Sequence, residues 1–255
     1  IKDLVKTILR KVKLEVFPVG TANNIVRNKD SEINFKNDLC IHYTSVKDRA
    51  NDSTQPAEVI IFSMDRPLQL HSLLYSFYEN ISKPLKVHIL YRPTSEAYQV
   101  AYNQVFEIFK DRELNVVKQF DKSDFKPKLI DILSSIKTKN VFFLVDDIIF
   151  KDKLDVEDLD KFDTRDFILT LRMAPNFTRC YTSNTDQKVP QFIKDIVNDD
   201  DKVCWVWEDG EFDWNYPLSV DGHLFSTKEI LILSKNTDFN TPNSYEGNLQ
   251  LYRYL

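Results

Sequence analysis

Glycine is scarce in this chain of 255 residues. The glycines are Gly20, Gly210, Gly222 and Gly247, whereas average usage would give roughly 18. No two of them lie close enough to form a phosphate-binding loop, which needs residues without side chains so that backbone N–H groups can approach phosphate. The usual P-loop and dinucleotide-binding motifs are therefore excluded.

Cysteine pairs, a basic overall charge and long apolar runs are also lacking. Cys40, Cys180 and Cys204 show no C-x-x-C spacing, so neither a disulfide framework nor a zinc knuckle is predicted. A formal net charge of −5 argues against nucleic acid as the main partner. The longest apolar runs resemble Val141–Val145, far short of the ~20 residues of a membrane span, and no signal peptide is visible. We therefore expect a reducing, cytoplasmic location.

The N-terminal part of the chain differs in pattern from the rest. Residues 1–14 combine apolar residues at helical spacing with five lysines and arginines. This pattern predicts a basic amphipathic helix that either packs on the domain or docks on an anionic membrane surface. A polar segment from about Pro18 to Pro56 predicts a connecting arm with a short strand around Cys40–Tyr43. Residues 1–57 are thus expected to form a helix and an arm.

Short apolar runs alternate with helical patterns from Glu58 onwards, at a spacing of 27 to 28 residues. The predicted strands are Val59–Phe62, Val87–Leu90, Leu114–Val117 and Val141–Val145. The predicted helices between them are Leu68–Tyr78, Ser95–Lys110 and Lys126–Ile136. This alternation predicts right-handed βαβ units in a doubly wound α/β sheet, in which ligands bind outside the carboxyl ends of the strands.

The alternation stops after Phe150. Acidic loops and short predicted strands follow, namely Phe167–Leu171, Val203–Trp207 and Leu224–Phe225. We expect one domain over residues 58–255, in which residues 58–150 form a parallel α/β half. Residues 151–255 are expected to form an α+β half that completes the same sheet.

Charged residues stand where three predicted strands end. They are Ser63, Asp65 and Arg66 after the first strand, Arg92 after the second, and Asp146 and Asp147 after the fourth. Adjacent carboxylates at a strand end suit Mg²⁺ or Mn²⁺, which are usually bound by carboxylate and diphosphate oxygens. Alternatively, one aspartate caps the next element and the other is solvated. A Walker B segment has the same pattern, but no Walker A motif accompanies it.

These features resemble glycosyltransferases of the GT-A fold, which use a nucleotide-diphospho-sugar donor and usually a divalent metal held by an Asp-x-Asp-like motif. The resemblance runs roughly from Glu58 to the C-terminus and rests on the segments Phe62–Leu70, Phe125–Ile136, Val145–Asp147, Tyr216–Phe225 and Thr241–Gly247. One departure is that the acids are adjacent instead of separated by one residue. The resemblance implies a GT-A-like fold, with a Rossmann-like, mostly parallel central sheet flanked by helices and an α+β acceptor half.

The resemblance also implies roles for individual residues. Those implied for the nucleotide-sugar are Ser63, Asp65, Arg66 and Arg92 around the nucleoside and ribose, and Lys128 near the base or diphosphate. Those implied for the Mn²⁺ or Mg²⁺ ion are Asp147, together with Asp146, and His223. Alternatively, His223 is a hydrogen-bonded structural histidine. A metal ion or other cation is needed because the leaving nucleoside diphosphate accumulates negative charge.

A general base is required if the acceptor hydroxyl attacks the sugar carbon directly. Asp221 and Glu246 are the candidates, and we expect Glu246 to lie on a loop over the crevice. Alternatively, Asp221 is a turn residue beside Gly222, and Glu246 is an acid at a helix start. Arg172 and Trp214 are candidates for acceptor contacts. A salt-bridged arginine at a strand end is the simpler interpretation of Arg172.

The sequence therefore predicts metal-dependent transfer of a sugar from a nucleotide-diphosphate sugar, with a UDP-sugar favoured, to a carbohydrate or lipid-linked hydroxyl. A peripheral membrane contact through residues 1–14 is one interpretation of the basic helix. The alternative is a non-catalytic protein of the same fold that binds nucleotide or glycan. A nucleotidyltransferase is less favoured because no glycine- and lysine/arginine-rich phosphate loop follows the first strand.

Overall fold

The computed structural model describes residues 55–161, 163–164, 167–193 and 202–253, all within one structural unit, Asp48–Leu255. The predicted basic helix over residues 1–14 and the short strand at Cys40–Tyr43 lie outside the described residues. Membrane contact through that helix therefore stays a prediction. Among the helices that the structure does describe, none has the length and apolar character needed to cross a bilayer.

The described residues contain eight strands. They are β1 (Ala57–Met64), β2 (Val87–Arg92), β3 (Leu114–Lys118), β4 (Asn140–Val145), β5 (Leu169–Thr170), β6 (Arg179–Cys180), β7 (Thr185–Asp186) and β8 (His223–Ser226). Six of them form one sheet in the order β3-β2-β1-β4-β8-β5, while β6 and β7 pair with each other. Strands β1 to β4 are parallel, and β8 runs antiparallel between β4 and β5. Both expected halves of the domain thus contribute to one sheet.

Five α-helices flank the strands in the described part of the chain. They are α1 (Pro67–Asn80), α2 (Glu96–Ile108), α3 (Phe125–Ser135), α4 (Thr227–Asn236) and α5 (Pro242–Leu249). Local chemistry fixes where several of them begin. Helix α1 starts with Pro67, whose ring presets the helical φ. The Ser95 side chain caps α2, and Thr241 and Ser244 form a capping box at α5.

Apolar side chains cover both faces of the central strands. On β1, Val59 and Ile61 pack in a cluster with α1 and α2. Ile60 and Phe62 point to the opposite face and pack with α3, α4 and α5. Because both faces are buried, the strands are continuous apolar runs instead of alternating ones. The predicted class, a mixed α/β fold with a mostly parallel sheet flanked by helices, is confirmed.

The second half departs from the predicted strands. In place of a strand over Val203–Trp207, a single bridge joins Cys204 to Ile193, and a short 3₁₀ helix begins at Trp207. The Trp205 indole N–H donates to the carbonyl of Trp214 at 3.1 Å, a bond outside any strand pairing. The predicted strand Phe167–Leu171 is shorter in the structure. Only Leu169 and Thr170 pair with the neighbouring strand β8, and these two residues form β5.

The order of the strands in the sheet indicates where a ligand would bind. Strand β1 has β2 on one side and β4 on the other, so the order of the strands reverses between β1 and β4. In open parallel sheets, the crevice outside the carboxyl ends at such a switch point is where ligands bind. The segments that follow β1 and β4 therefore form the first place to look for chemistry.

Candidate active site

An open cleft of about 1230 Å³ lies at the carboxyl ends of β1, β2 and β4. Its walls come from these strand ends, from the β6–β7 hairpin, from the segment before β8 and from the start of α5. The acidic side chains among the described lining residues are Asp65, Asp146, Asp147, Asp213, Asp221 and Glu246; the basic ones are Arg66, Arg92, Lys122 and Arg172. The described lining thus carries six acids, four basic groups and a formal charge of −2.

Asp65 ties the end of β1 to the loop after β2. Its backbone has a φ of 55°, in the left-handed region that aspartate tolerates better than most residues. One carboxylate oxygen accepts a hydrogen bond from the Thr94 N–H at 2.7 Å, and the other accepts from Thr94 Oγ1 at 2.6 Å. Asp65 therefore lines the cleft, as expected for a ligand-binding residue. Its carboxylate also joins the loop after β1 to the loop after β2.

An arginine bridges the two adjacent acids. Nη1 of Arg66 lies 3.3 Å from Asp146 Oδ1 and 3.0 Å from Asp147 Oδ2. The Asp146 side chain is 6% exposed, whereas those of Arg66 and Asp147 are both more than half exposed. Burial raises the pKa of Asp146, and the Ser63 hydrogen bond and the Arg66 charge oppose that rise. The structure thus brings together three residues that the sequence placed at two strand ends.

A chain of hydrogen bonds supports this cluster from α2. The Arg66 backbone N–H donates to the Tyr102 hydroxyl at 3.0 Å, and the Tyr102 hydroxyl lies 2.6 Å from Ser63 Oγ. Tyr102 is fully buried, and the sequence signalled it only as part of the apolar stripe of α2. It was therefore not among the predicted site residues.

A second acidic group lies across the cleft. Arg172 pairs with Asp213, and its Nη1 lies 3.3 Å from Asp221 Oδ2. Glu246 Oε1 accepts hydrogen bonds from Ser219 Oγ at 2.5 Å and from the Val220 N–H at 3.1 Å. Glu246 lies in the second turn of α5, which corrects the expectation of a loop. The Thr241 capping box starts that helix, so the polar segment is helical instead of irregular.

Burial raises the pKa of Asp221. Repulsion from Glu246, Asp147 and Asp213 adds to the effect, and the Arg172 charge opposes it. Next to Asp221, Gly222 has a φ of 78°, and the chain bends at this Asp-Gly pair directly before β8.

His223 is placed away from the acid pair. It lies on β8, fully buried, with Nδ1 2.9 Å from the carbonyl oxygen of Pro217. Burial lowers the pKa of His223 to about 4, so the ring is neutral at pH 7. Because a carbonyl only accepts, Nδ1 carries the proton. His223 is not among the described residues that line the cleft, and its role as a metal ligand stays a prediction.

Trp214 and Lys128 are also placed away from the cleft lining, as far as the described residues show. Trp214 is 1% exposed, and its indole N–H donates to the Phe177 carbonyl at 3.0 Å. This burial corrects the expectation of an acceptor platform, which needs an exposed ring face. Lys128 lies on α3 with Nζ 3.7 Å from Asp124 and over the ring of Phe120.

Two of the aromatic side chains that line the cleft are exposed, and the sequence did not single out either of them. Tyr181, in the turn of the β6–β7 hairpin, is 79% exposed. Phe212 is half exposed and has a φ of 46°, an unusual conformation for a bulky residue. No local sequence signal marks either position, because their exposure depends on how the second half packs.

The acid pair fits part of a divalent metal site. Within the described residues, no group of three or more His, Cys, Asp or Glu side chains could hold a metal ion. Mg²⁺ is nevertheless usually bound through one or two carboxylates and substrate phosphates instead of a complete protein cage. Asp146 and Asp147 supply such carboxylates, so a diphosphate would have to supply further oxygens.

No protein-family model matches the chain, and no curated protein matches it. Among solved structures, it is similar to the mannosyltransferase PcManGT from Pyrobaculum calidifontis in complex with GDP-Man and Mn²⁺, at 16% identity and a TM-score of 0.33, over 45% of this chain and 36% of that one. It is also similar to the bifunctional glycosyltransferase WbbM, at 13% identity and a TM-score of 0.44, over 77% and 37% of the two chains.

A third similar structure is S. aureus TarS 1–349 in complex with UDP-GlcNAc, at 16% identity and a TM-score of 0.37, over 71% of this chain and 46% of that one. The chain therefore spans less than half the length of each of these three structures. Solved glycosyltransferases are thus among the structures that this chain resembles.

Proposed function

We propose that this chain is a glycosyltransferase that binds a nucleotide-diphospho-sugar in the cleft between β1 and β4. The observation that carries the proposal is the cluster of Arg66, Asp146 and Asp147 at the switch point of the sheet. It combines a cation with carboxylates at the place where open α/β sheets bind ligands. Arg92, at the end of β2, lines the same cleft and adds a positive charge for ribose or phosphate.

The charge of the cleft supports a divalent metal as part of the donor site. A diphosphate entering a lining with a formal charge of −2 meets net repulsion unless a cation accompanies it. We propose that Asp147, together with Asp146, holds Mn²⁺ or Mg²⁺. When bound, the metal would supply electrostatic stabilisation of the leaving diphosphate. A UDP-sugar remains the favoured donor.

Asp221 is the proposed general base. The acceptor O–H gives its proton to the Asp221 carboxylate while the acceptor oxygen forms the new bond to the sugar carbon. The bond between that carbon and the phosphate oxygen breaks, and the nucleoside diphosphate leaves. A raised pKa suits this role, because a base works best when its pKa approaches the operating pH.

Glu246 is the proposed support for that base. It accepts hydrogen bonds from Ser219 and Val220, directly before Asp221. These bonds fix the backbone that carries Asp221. We propose that Glu246 is a positioning residue.

Exposed aromatic rings support a position for the acceptor within the cleft. Tyr181 and Phe212 line the wall of the cleft contributed by the second half of the domain. A ring face can cover the C–H surface of a sugar, which is why we propose a carbohydrate moiety in the acceptor. Arg172, between Asp213 and Asp221, is proposed to orient Asp221 and to meet the acceptor hydroxyls.

A non-catalytic binding protein is the second candidate. The Arg172–Asp221 ion pair favours it, because a neighbouring cation stabilises the carboxylate and weakens it as a base. Release of nucleoside diphosphate from a panel of UDP- and GDP-sugars with Mn²⁺ present separates the two candidates. The enzyme predicts slow donor hydrolysis that falls by about 10²-fold or more in Asp221→Asn, while nucleotide affinity is retained. Nucleotide binding without any turnover would favour the binding protein.

A further inference from the structure

The Arg66 guanidinium occupies the oxygens that a metal would need. One nitrogen, Nη1, lies 3.3 Å from Asp146 Oδ1 and 3.0 Å from Asp147 Oδ2. Within the described residues, the ion pairs of these two acids are with Arg66. A metal ion that used the same oxygens would meet the positive charge of the guanidinium at short range. The arginine and the metal therefore compete for one pair of carboxylates.

The three side chains differ in their freedom to move. The Asp146 side chain is 6% exposed, so its carboxylate has little room to move. The Arg66 side chain is 51% exposed, and its backbone N–H is held by Tyr102. The guanidinium can therefore leave the acids while the base of its side chain stays in place. The Arg66–Asp147 pair is exposed, and exposed ion pairs are weak.

A diphosphate in the cleft would give Arg66 another partner. Arginine binds phosphate oxygens with two parallel N–H donors, a geometry that fits phosphate and carboxylate equally well. Arg66 and the acid pair line the same cleft. A nucleoside diphosphate there offers Arg66 an anion and offers the metal further oxygen ligands.

We propose that Arg66 is a built-in counter-cation of the acid pair, which keeps metal affinity low until a nucleoside diphosphate binds. The nucleotide step of this inference rests on the proposed function, whereas the competition for the carboxylates does not. Metal and nucleotide then raise each other's affinity by the same factor, because linkage between two binding events is reciprocal. Arg66 sets the size of that factor.

The first experiment measures Mn²⁺ binding to the full chain without nucleotide. Loss of the free Mn²⁺ signal in electron paramagnetic resonance gives the affinity for wild type, Arg66→Gln and Arg92→Gln. We expect Arg66→Gln to bind Mn²⁺ about three- to tenfold more tightly, since the ion pairs that the metal must break are gone. Arg92→Gln changes the charge of the same cleft equally and should have a smaller effect, because Arg92 is not the partner of the acid pair.

Two results would contradict the proposed competition between Arg66 and the metal for the acid pair. One is equal Mn²⁺ affinity in wild type and Arg66→Gln, including no detectable binding by either. The other is an equal gain in Arg66→Gln and Arg92→Gln, which would reduce the effect to overall charge. Should Arg66→Gln not fold, as judged by circular dichroism, Arg66→Met removes the same charge and keeps most of the apolar stem, and it carries the same expectation.

The second experiment repeats the titration with UDP, GDP, CDP and ADP present. For the diphosphate that binds, we expect Mn²⁺ affinity to rise more in wild type than in Arg66→Gln. An equal rise in both proteins would contradict the role of Arg66 in the coupling. If none of the diphosphates binds to either protein, the proposed function fails, and the first experiment still decides the competition between Arg66 and the metal.

Discussion

Glu246 accepts a 2.5 Å hydrogen bond from Ser219 Oγ, which lies 27 residues earlier in the chain. The same carboxylate oxygen accepts from the Val220 N–H at 3.1 Å. This contact joins α5 to the segment directly before Asp221. The shape of the segment that carries Asp221 therefore depends on a helix, at a place where the sequence left a loop and a helix start open.

Glu246→Ala is expected to lower the free energy of unfolding by about 1–3 kcal/mol, because two donors lose their acceptor. Glu246→Gln keeps an oxygen that can accept both hydrogen bonds, so its loss should be clearly smaller. Urea denaturation of the two variants measures the difference. Equal destabilisation would show that the charge of Glu246, and not its acceptor geometry, holds the segment.

His223 is expected to make the fold sensitive to mild acid. Its pKa is lowered from 6.5 to about 4 in the folded chain, so the unfolded chain binds more protons between these values. The stability contribution is present above pH 6.5 and is lost as pH falls towards 4, with a total of about 3 kcal/mol.

The matched variant is His223→Asn, which keeps a side-chain N–H donor for Pro217 but does not titrate. The free energy of unfolding, measured from pH 7.5 to 4.5, should fall more steeply in wild type than in the variant. Asp146 and Asp221, whose pKa values are raised, are present in both proteins and cancel in the comparison. Parallel curves would contradict the neutral, buried state of the ring.

The left-handed backbone conformation of Phe212 is expected to lower the free energy of unfolding. Its φ of 46° costs about 1–2 kcal/mol for residues with a side chain, but little for glycine. Phe212→Gly should therefore be more stable than Phe212→Ala, the reverse of the usual order, while both lack the ring. Chemical denaturation compares the two variants directly. If the alanine variant is the more stable one, the left-handed conformation is not retained without the ring.

The parallel half of the fold could be predicted because its signal is local. Strands β1, β2 and β4 are buried on both faces, so a mostly apolar run marked each of them, whereas the edge strand β3 is only partly buried. The helices between the strands showed regular apolar spacing. The second half gave weaker signals. Its strands β5 and β8 contain two and four residues, and such short strands carry too few positions for a periodic pattern.

The site was predictable where it depends on strand ends. Arg66, Asp146 and Asp147 follow β1 and β4, and adjacent parallel strands bring their carboxyl ends together. The placements of His223 and Trp214 depend on the carbonyls of Pro217 and Phe177. Burial by contacts outside the local segment leaves no pattern in the neighbouring sequence. From sequence alone, a buried histidine or aromatic residue in a polar segment therefore cannot be told from an exposed one.

The central claim is that the acid pair binds a metal together with a nucleoside diphosphate. The most direct test is thermal unfolding with UDP, GDP, CDP or ADP, with Mn²⁺ or with EDTA, for wild type and Asp147→Asn. The control is Asp152→Asn, because Asp152 is exposed and lies outside the described cleft lining. One diphosphate at 100 times its dissociation constant should stabilise wild type and the control by about 2.7 kcal/mol with Mn²⁺.

We expect this rise in Tm to be lost with EDTA and in Asp147→Asn. A rise of the same size in Asp147→Asn, or no rise with any diphosphate in the wild-type chain, would contradict it.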